Sequence, residues 1–78
     1  MPRTLVLVPT DLERRRVAPT LTPALGGSGH IELCGFGPVV AAARTAGLLA
    51  RHRPAQVVLT GIAGRFNDRL AIGDAYRF

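Results

Sequence analysis

The chain has no lysine and no tryptophan, one cysteine, one methionine, and only three phenylalanines and one tyrosine as aromatics. Each shortage removes a class of protein. A lone Cys34 cannot close an internal disulfide, and one sulfur with two widely spaced histidines, His30 and His52, makes no structural zinc set. No metal is expected. No apolar run approaches the ~18 to 20 residues of a membrane span, and the N-terminus shows neither a basic region followed by a long apolar core nor a cleavage site, so a cytoplasmic protein without a membrane partner is expected. What remains is 78 residues, 47% hydrophobic and 19% charged, which fits a single small domain with a packed core rather than disorder. Below ~70 to 80 residues a core supplies little net stability without staples or oligomerisation, and no staple is visible.

The acidic side is also thin, at five residues against ten basic ones, giving a net charge of +5. Such an imbalance points to nucleic acid unless another cause accounts for it. All ten cations are arginines, which GC-rich codon usage produces without any ligand. Only Arg14-Arg15-Arg16 and Arg51-His52-Arg53 cluster, and no aromatic ring is interleaved with them as a stacking platform for bases. Nucleic acid is therefore not expected as a partner.

Thr4-Leu-Val-Leu-Val8 is a continuous apolar run, the pattern of a parallel strand buried on both faces, and Pro9 ends it. Thr10-Asp11-Leu12-Glu13 has capping-box spacing and predicts a helix start, with Pro19, Pro23 and the glycines at 26, 27 and 29 confining the helix to Asp11 to Ala18. A second strand is predicted over His30 to Cys34. A helix over Pro38 to His52 follows, opened by Pro38 and closed by Arg51, His52, Arg53 and Pro54. Its many small residues allow it to lie close to a sheet. Gln56 to Thr60 predicts a third strand, central because its apolar stretch is unbroken, and Ala75 to Phe78 the start of a fourth. Strands separated by helices imply parallel crossovers: an α/β, three-layer domain over residues 1–78 with a mainly parallel sheet.

Ligands of open α/β sheets bind beyond the carboxyl ends of the strands, here at Pro9 to Glu13, Gly35 to Pro38 and Gly61 to Gly64. Glycines in such turns let backbone N–H groups approach a sugar, base or phosphate. Neither glycine-rich turn is a Walker A motif or a G-x-G-x-x-G fingerprint, so no ATP or NAD cofactor is expected.

Three stretches taken together, Cys34-Gly35-Phe36-Gly37-Pro38-Val39-Val40-Ala41-Ala42-Ala43, Val57-Val58-Leu59-Thr60-Gly61-Ile62-Ala63-Gly64 and Leu70-Ala71-Ile72-Gly73-Asp74, resemble the nucleoside phosphorylase and nucleosidase superfamily. With Pro9-Thr10 and Leu12-Glu13-Arg14 added, the chain is most similar to the futalosine hydrolase family of menaquinone biosynthesis. Ile62 and Phe36 set it apart from the methylthioadenosine and adenosylhomocysteine nucleosidases. The resemblance covers only the N-terminal portion of a family member. It implies a truncated nucleoside phosphorylase-type fold, a futalosine-like purine nucleoside as substrate, hydrolysis of its N-glycosidic bond without cofactor or metal, and a homo-oligomer in the full-length enzyme. The acid that protonates the leaving purine is not found in this chain, so the isolated 78 residues are expected to be inactive. Where related hexameric phosphorylases carry a phosphate-binding arginine, this chain has Leu59, which favours water over phosphate as nucleophile.

Through the resemblance, Glu13 is the candidate catalytic residue, orienting the attacking water, while Gly35, Phe36, Gly37, Gly61, Ile62, Ala63 and Gly64 are candidate substrate-binding residues. Each has a structural alternative. Glu13 would serve equally as the acidic partner of a capping box, the Gly61 to Gly64 turn as a tight strand exit, and Gly35 and Gly37 as shapers of the following helix start. A non-catalytic module that folds only as an oligomer, or against a missing C-terminal half, is the rival reading.

Overall fold

The computed structural model describes residues 3–64 and 67–77. Three strands form one parallel sheet: β1 (Thr4–Val8), β2 (Gly29–Leu33) and β3 (Gln56–Leu59), in the order β2-β1-β3. Two 15-residue helices connect them, α1 (Asp11–Leu25) between β1 and β2 and α2 (Pro38–His52) between β2 and β3. Parallel neighbours cannot be joined by a tight turn, so each connection must cross the sheet, and a helix is the usual means. Thr4 pairs with Gly29 on one side and Gln56 on the other, and Leu7 with Glu32 and Leu59.

Every residue of β1 is buried, as its unbroken apolar run demands of a strand flanked on both sides and covered on both faces. Leu5 and Leu7 point to one face, where they meet Cys34 and Leu48 of α2. Val6 and Val8 point to the opposite face and are also buried, which places α1 there and makes the domain three-layered. The α2 stripe of Ala41, Thr45, Leu48 and His52 recurs at helical spacing and is its half-buried to buried side, whereas Val39, Val40 and Leu49 remain exposed. Opposite crossovers from β1 and β2 are what the right-handed rule requires when the strand order reverses at β1.

Three expectations are corrected. Pro19 and Pro23 do not end α1, which continues to Leu25. Val17, Ala18, Leu21 and Leu25 line its inward side while both prolines lie on the exposed side, so the carbonyls of Arg15 and Pro19 that lose a donor can turn to water. Secondly, β3 is an edge strand rather than a central one, with all four residues exposed. Thirdly, Ala75 to Arg77 join no strand, and instead the Tyr76 hydroxyl accepts the Ala71 N–H at 2.9 Å. Phe78, the last residue of that expected strand, lies outside the described residues, as do Arg65 and Phe66.

Among the described residues, side-chain cross-links tie the elements together near the strand ends. Glu32 on β2 binds His52 Nε2 at 2.7 Å and lies 3.9 Å from the Arg51 guanidinium, which fastens the C-terminal end of α2 to the sheet edge. The His52 ring stacks on His30, with centroids 4.3 Å apart. Gln56 Nε2 donates to the Thr4 hydroxyl at 2.7 Å, locking the start of β3 to β1.

Candidate functional site

The sheet order places β1 and β3 side by side while their following segments leave in different directions, α1 on one face and the irregular segment 61–64 beyond the strand end. Crevices at such a switch point are the usual ligand sites of doubly wound sheets. Thr10 caps α1 there. Its hydroxyl oxygen receives the Glu13 N–H at 3.4 Å, and its own proton goes to Glu13 Oε1 at 3.0 Å. In a standard capping box the acid would take the cap residue's backbone N–H. Here it takes the hydroxyl, and the second oxygen, Oε2, crosses to the chain leaving β3 and accepts the Ile62 N–H at 3.2 Å.

Gly61 makes that crossing possible. A Cβ there would collide with Glu13 Oε2 and stand 3.2 Å from Pro9 Cδ. The carboxylate is therefore buried between two chain segments, and among the described residues each oxygen has one hydrogen bond, which leaves it further lone pairs. Beside it is a hollow of about 300 Å³ lined by Leu12, Glu13, Arg16, Val17, Thr60, Gly61 and Ile62. A neighbouring one of about 270 Å³ is lined by Pro9, Leu59, Thr60, Gly61, Ile62 and Tyr76.

Gly35 and Gly37 occupy a third hollow, an apolar groove of about 510 Å³ between β1 and the first turns of α2, which also includes Phe36, Cys34, Ala41 and Leu59. Both glycines have φ near +90° (86° and 91°), which side-chain-bearing residues rarely adopt, and Gly37 caps α2 without any side-chain hydrogen bond. Phe36 is 83% exposed. Cys34 is buried and its thiol turns to the Gly35 carbonyl at 3.6 Å, away from solvent.

The structure thus brings together Glu13, Gly61 and Ile62, with Gly35, Phe36 and Gly37 in an adjacent groove linked through Pro9 and Leu59. Ala63 and Gly64 are exposed and line none of these three hollows. Two contributors went unread in the sequence. Thr10 caps α1 as its spacing predicts, and its hydroxyl also positions the carboxylate, while Tyr76 reaches the crevice from a segment whose pattern predicts a strand. Asp11, one residue into α1, lies apart from the crevice chemistry. It bonds Arg14 and Arg15 at 2.7 Å each, and chiefly the Arg15 hydrogen bond holds its carboxyl below the usual carboxylate range.

Among the described residues no group of three or more His, Cys, Asp and Glu is placed to hold a metal ion, and no helix is long and apolar enough to cross a membrane. No protein-family model, curated protein or solved structure matches the chain.

Proposed function

We propose that this chain is the N-terminal part of a purine nucleoside N-ribohydrolase with a nucleoside phosphorylase-type fold, acting on a futalosine-like nucleoside. One observation carries the reading: a buried carboxylate, Glu13, is held at the β1/β3 switch point by the Thr10 hydroxyl and the Ile62 N–H. A carboxylate fixed at both oxygens keeps its remaining lone pairs aimed in set directions, which is what orienting a water requires. In the proposed reaction the bond between the ribose anomeric carbon and the purine nitrogen breaks, and the base leaves as it gains a proton from a general acid that these 78 residues do not supply. The water oxygen bonds to the cationic sugar carbon, and its proton passes to Glu13. Leu59, apolar at the position from which an arginine would bind phosphate, supports water as the nucleophile.

Purine binding supplies the test, with amide NMR of the 78-residue chain titrated with futalosine, inosine and methylthioadenosine. Shifts are expected at Gly61 and Ile62 first, with smaller ones at Gly35 and Gly37, and the strongest response to futalosine. Absence of any shift at these amides at millimolar nucleoside would overturn the reading.

A further inference from the structure

Arg16 is the cation that the crevice leaves without a role. We infer that Arg16 reads the base: its guanidinium fork donates to O6 and N7 of a 6-oxopurine, so this site takes hypoxanthine nucleosides in preference to adenine nucleosides. The inference rests on the proposed nucleosidase reading and narrows its substrate class.

The three consecutive arginines divide between two sides of α1. Arg14 and Arg15 each bind Asp11 at 2.7 Å and line a hollow toward β2 that includes Thr22, His30 and Ile31. Arg16 lines the other side, in the hollow of about 300 Å³ that Glu13 shares with Thr60, Gly61 and Ile62. Residues three and four apart are neighbours on a helix, so Leu12, Glu13, Arg16 and Val17 form one strip, with Arg16 one turn along from Glu13. The two do not pair. The Glu13 oxygens are engaged by Thr10 and Ile62, and among the described residues Arg16 has no hydrogen-bond or ion-pair partner.

The chemistry of the fork sets the preference. A guanidinium stays charged and presents N–H donors in a fixed plane, and O6 and N7 of hypoxanthine are two acceptors side by side. Arginine on O6 and N7 is the commonest specific contact with guanine, whose edge hypoxanthine shares. Adenine keeps N7 but carries an amino donor in place of O6, so one N–H of the fork would face another N–H. One residue thus attracts the first base and opposes the second.

The placement suits a base. Leu12, Val17 and Ile62 give the hollow apolar walls, and its volume is at the small end of ligand pockets, room for a purine with the ribose outside, beside Glu13. Glu13 then acts at the sugar and Arg16 at the base. With N7 engaged, the proton that the departing base gains enters elsewhere on the ring, and Arg16, which stays protonated, is not its source. Arg16 instead offsets the negative charge that gathers on the base as the glycosidic bond breaks.

Titration of the 78-residue chain with inosine, adenosine and 7-deazainosine, followed by amide NMR, is the test. Inosine should bind at least ~5-fold more tightly than adenosine, the low end for a bidentate base contact because Arg16 is exposed to competing water. 7-Deazainosine, with a C–H in place of N7, should fall toward adenosine, and the Arg16 Nε–H resonance should move most with inosine. Arg16→Ala, which the helix tolerates well, should bring all three nucleosides to a common affinity. Arg15→Ala, on the Asp11 side of α1, should keep the inosine preference. Shifts at Gly61 and Ile62 with equal affinity for inosine and adenosine would overturn this inference and leave the nucleosidase reading standing. An inosine preference that survives Arg16→Ala would do the same. No shift with any of the three would overturn both.

Discussion

Glu13 Oε2 holds the backbone N–H of Ile62 at 3.2 Å across 49 positions of sequence. That bond ties the first turn of α1 to the chain leaving β3, and it exists because Gly61 has no Cβ to fill the gap.

Gly61→Ala should therefore push the carboxylate off Ile62 and cost about 1 kcal/mol, the worth of one hydrogen bond. In a Glu13→Ala background the obstacle is gone, and the same substitution should be neutral or slightly stabilising through the less flexible unfolded chain. Chemical denaturation of the four proteins measures the coupling. Equal costs in both backgrounds would identify Pro9, not Glu13, as the group that Gly61 must avoid.

Glu13→Gln separates charge from shape. A glutamine can accept the Ile62 N–H through its carbonyl and donate to the Thr10 oxygen through its amide, so stability should hardly change. If the proposed nucleosidase reading holds and the carboxylate orients or deprotonates the attacking water, kcat for base release by a longer chain with that activity should fall ~10²-fold or more, with a smaller change in KM. Thr10→Ala removes the cap at about 1 kcal/mol and one anchor of the carboxylate while keeping its charge, so it should lower kcat less than Glu13→Gln does. Small, equal losses in the two variants would reduce Glu13 to a structural anchor.

How much of this was legible depends on whether a signal is local. The limits of β1 and α2 were read from the sequence alone, because Pro9, Pro38, Arg51 and Pro54 act through their own backbone or the nearest turn. The length of α1 was not, since Pro19 and Pro23 are tolerated where the carbonyls four residues before them can bend away from the rings and toward water, and which side faces water is a tertiary fact. The apolar run of β3 announces burial but not what buries it, so a strand at the sheet edge reads like a central one. At the site, the strand-end rule located Glu13 and Gly61, whereas the bond from Ile62 depends on β3 lying beside β1, which no single segment encodes.

Asp11 should be visible in the acid limb of stability. Its carboxyl titrates below its ordinary value of about 3.9 because Arg15, and then Arg14, favour the charged form. A lowered folded pKa contributes stability that is present above the unfolded value and is lost as pH falls through the folded one. Asp11→Asn should thus be less stable than the parent chain at pH 7, and the two urea midpoints should converge as pH drops below about 4. Added salt should narrow the gap at neutral pH, since both bridges are solvent-exposed. A gap that persists at low pH would mean that the asparagine harms the helix start itself rather than removing a charge.

Two substitutions on α2 test whether one face of that helix alone holds it. Leu48 is 8% exposed and is the α2 side chain that enters the cluster of Leu5, Leu7 and Cys34. Leu48→Ala removes three carbons from a site whose other walls are a strand and a buried cysteine, so the cavity cannot collapse freely, and a loss of ~2 to 5 kcal/mol is expected. In a domain of this size that loss approaches the whole stability, and cooperative unfolding should be lost or shifted far toward lower denaturant. Val39, at 82% exposed on the same helix, gives the contrast. Within a monomer Val39→Ala should stay within ~0.5 kcal/mol, or gain slightly from helix propensity. A larger loss would place Val39 against a neighbour that the described residues of this chain do not supply.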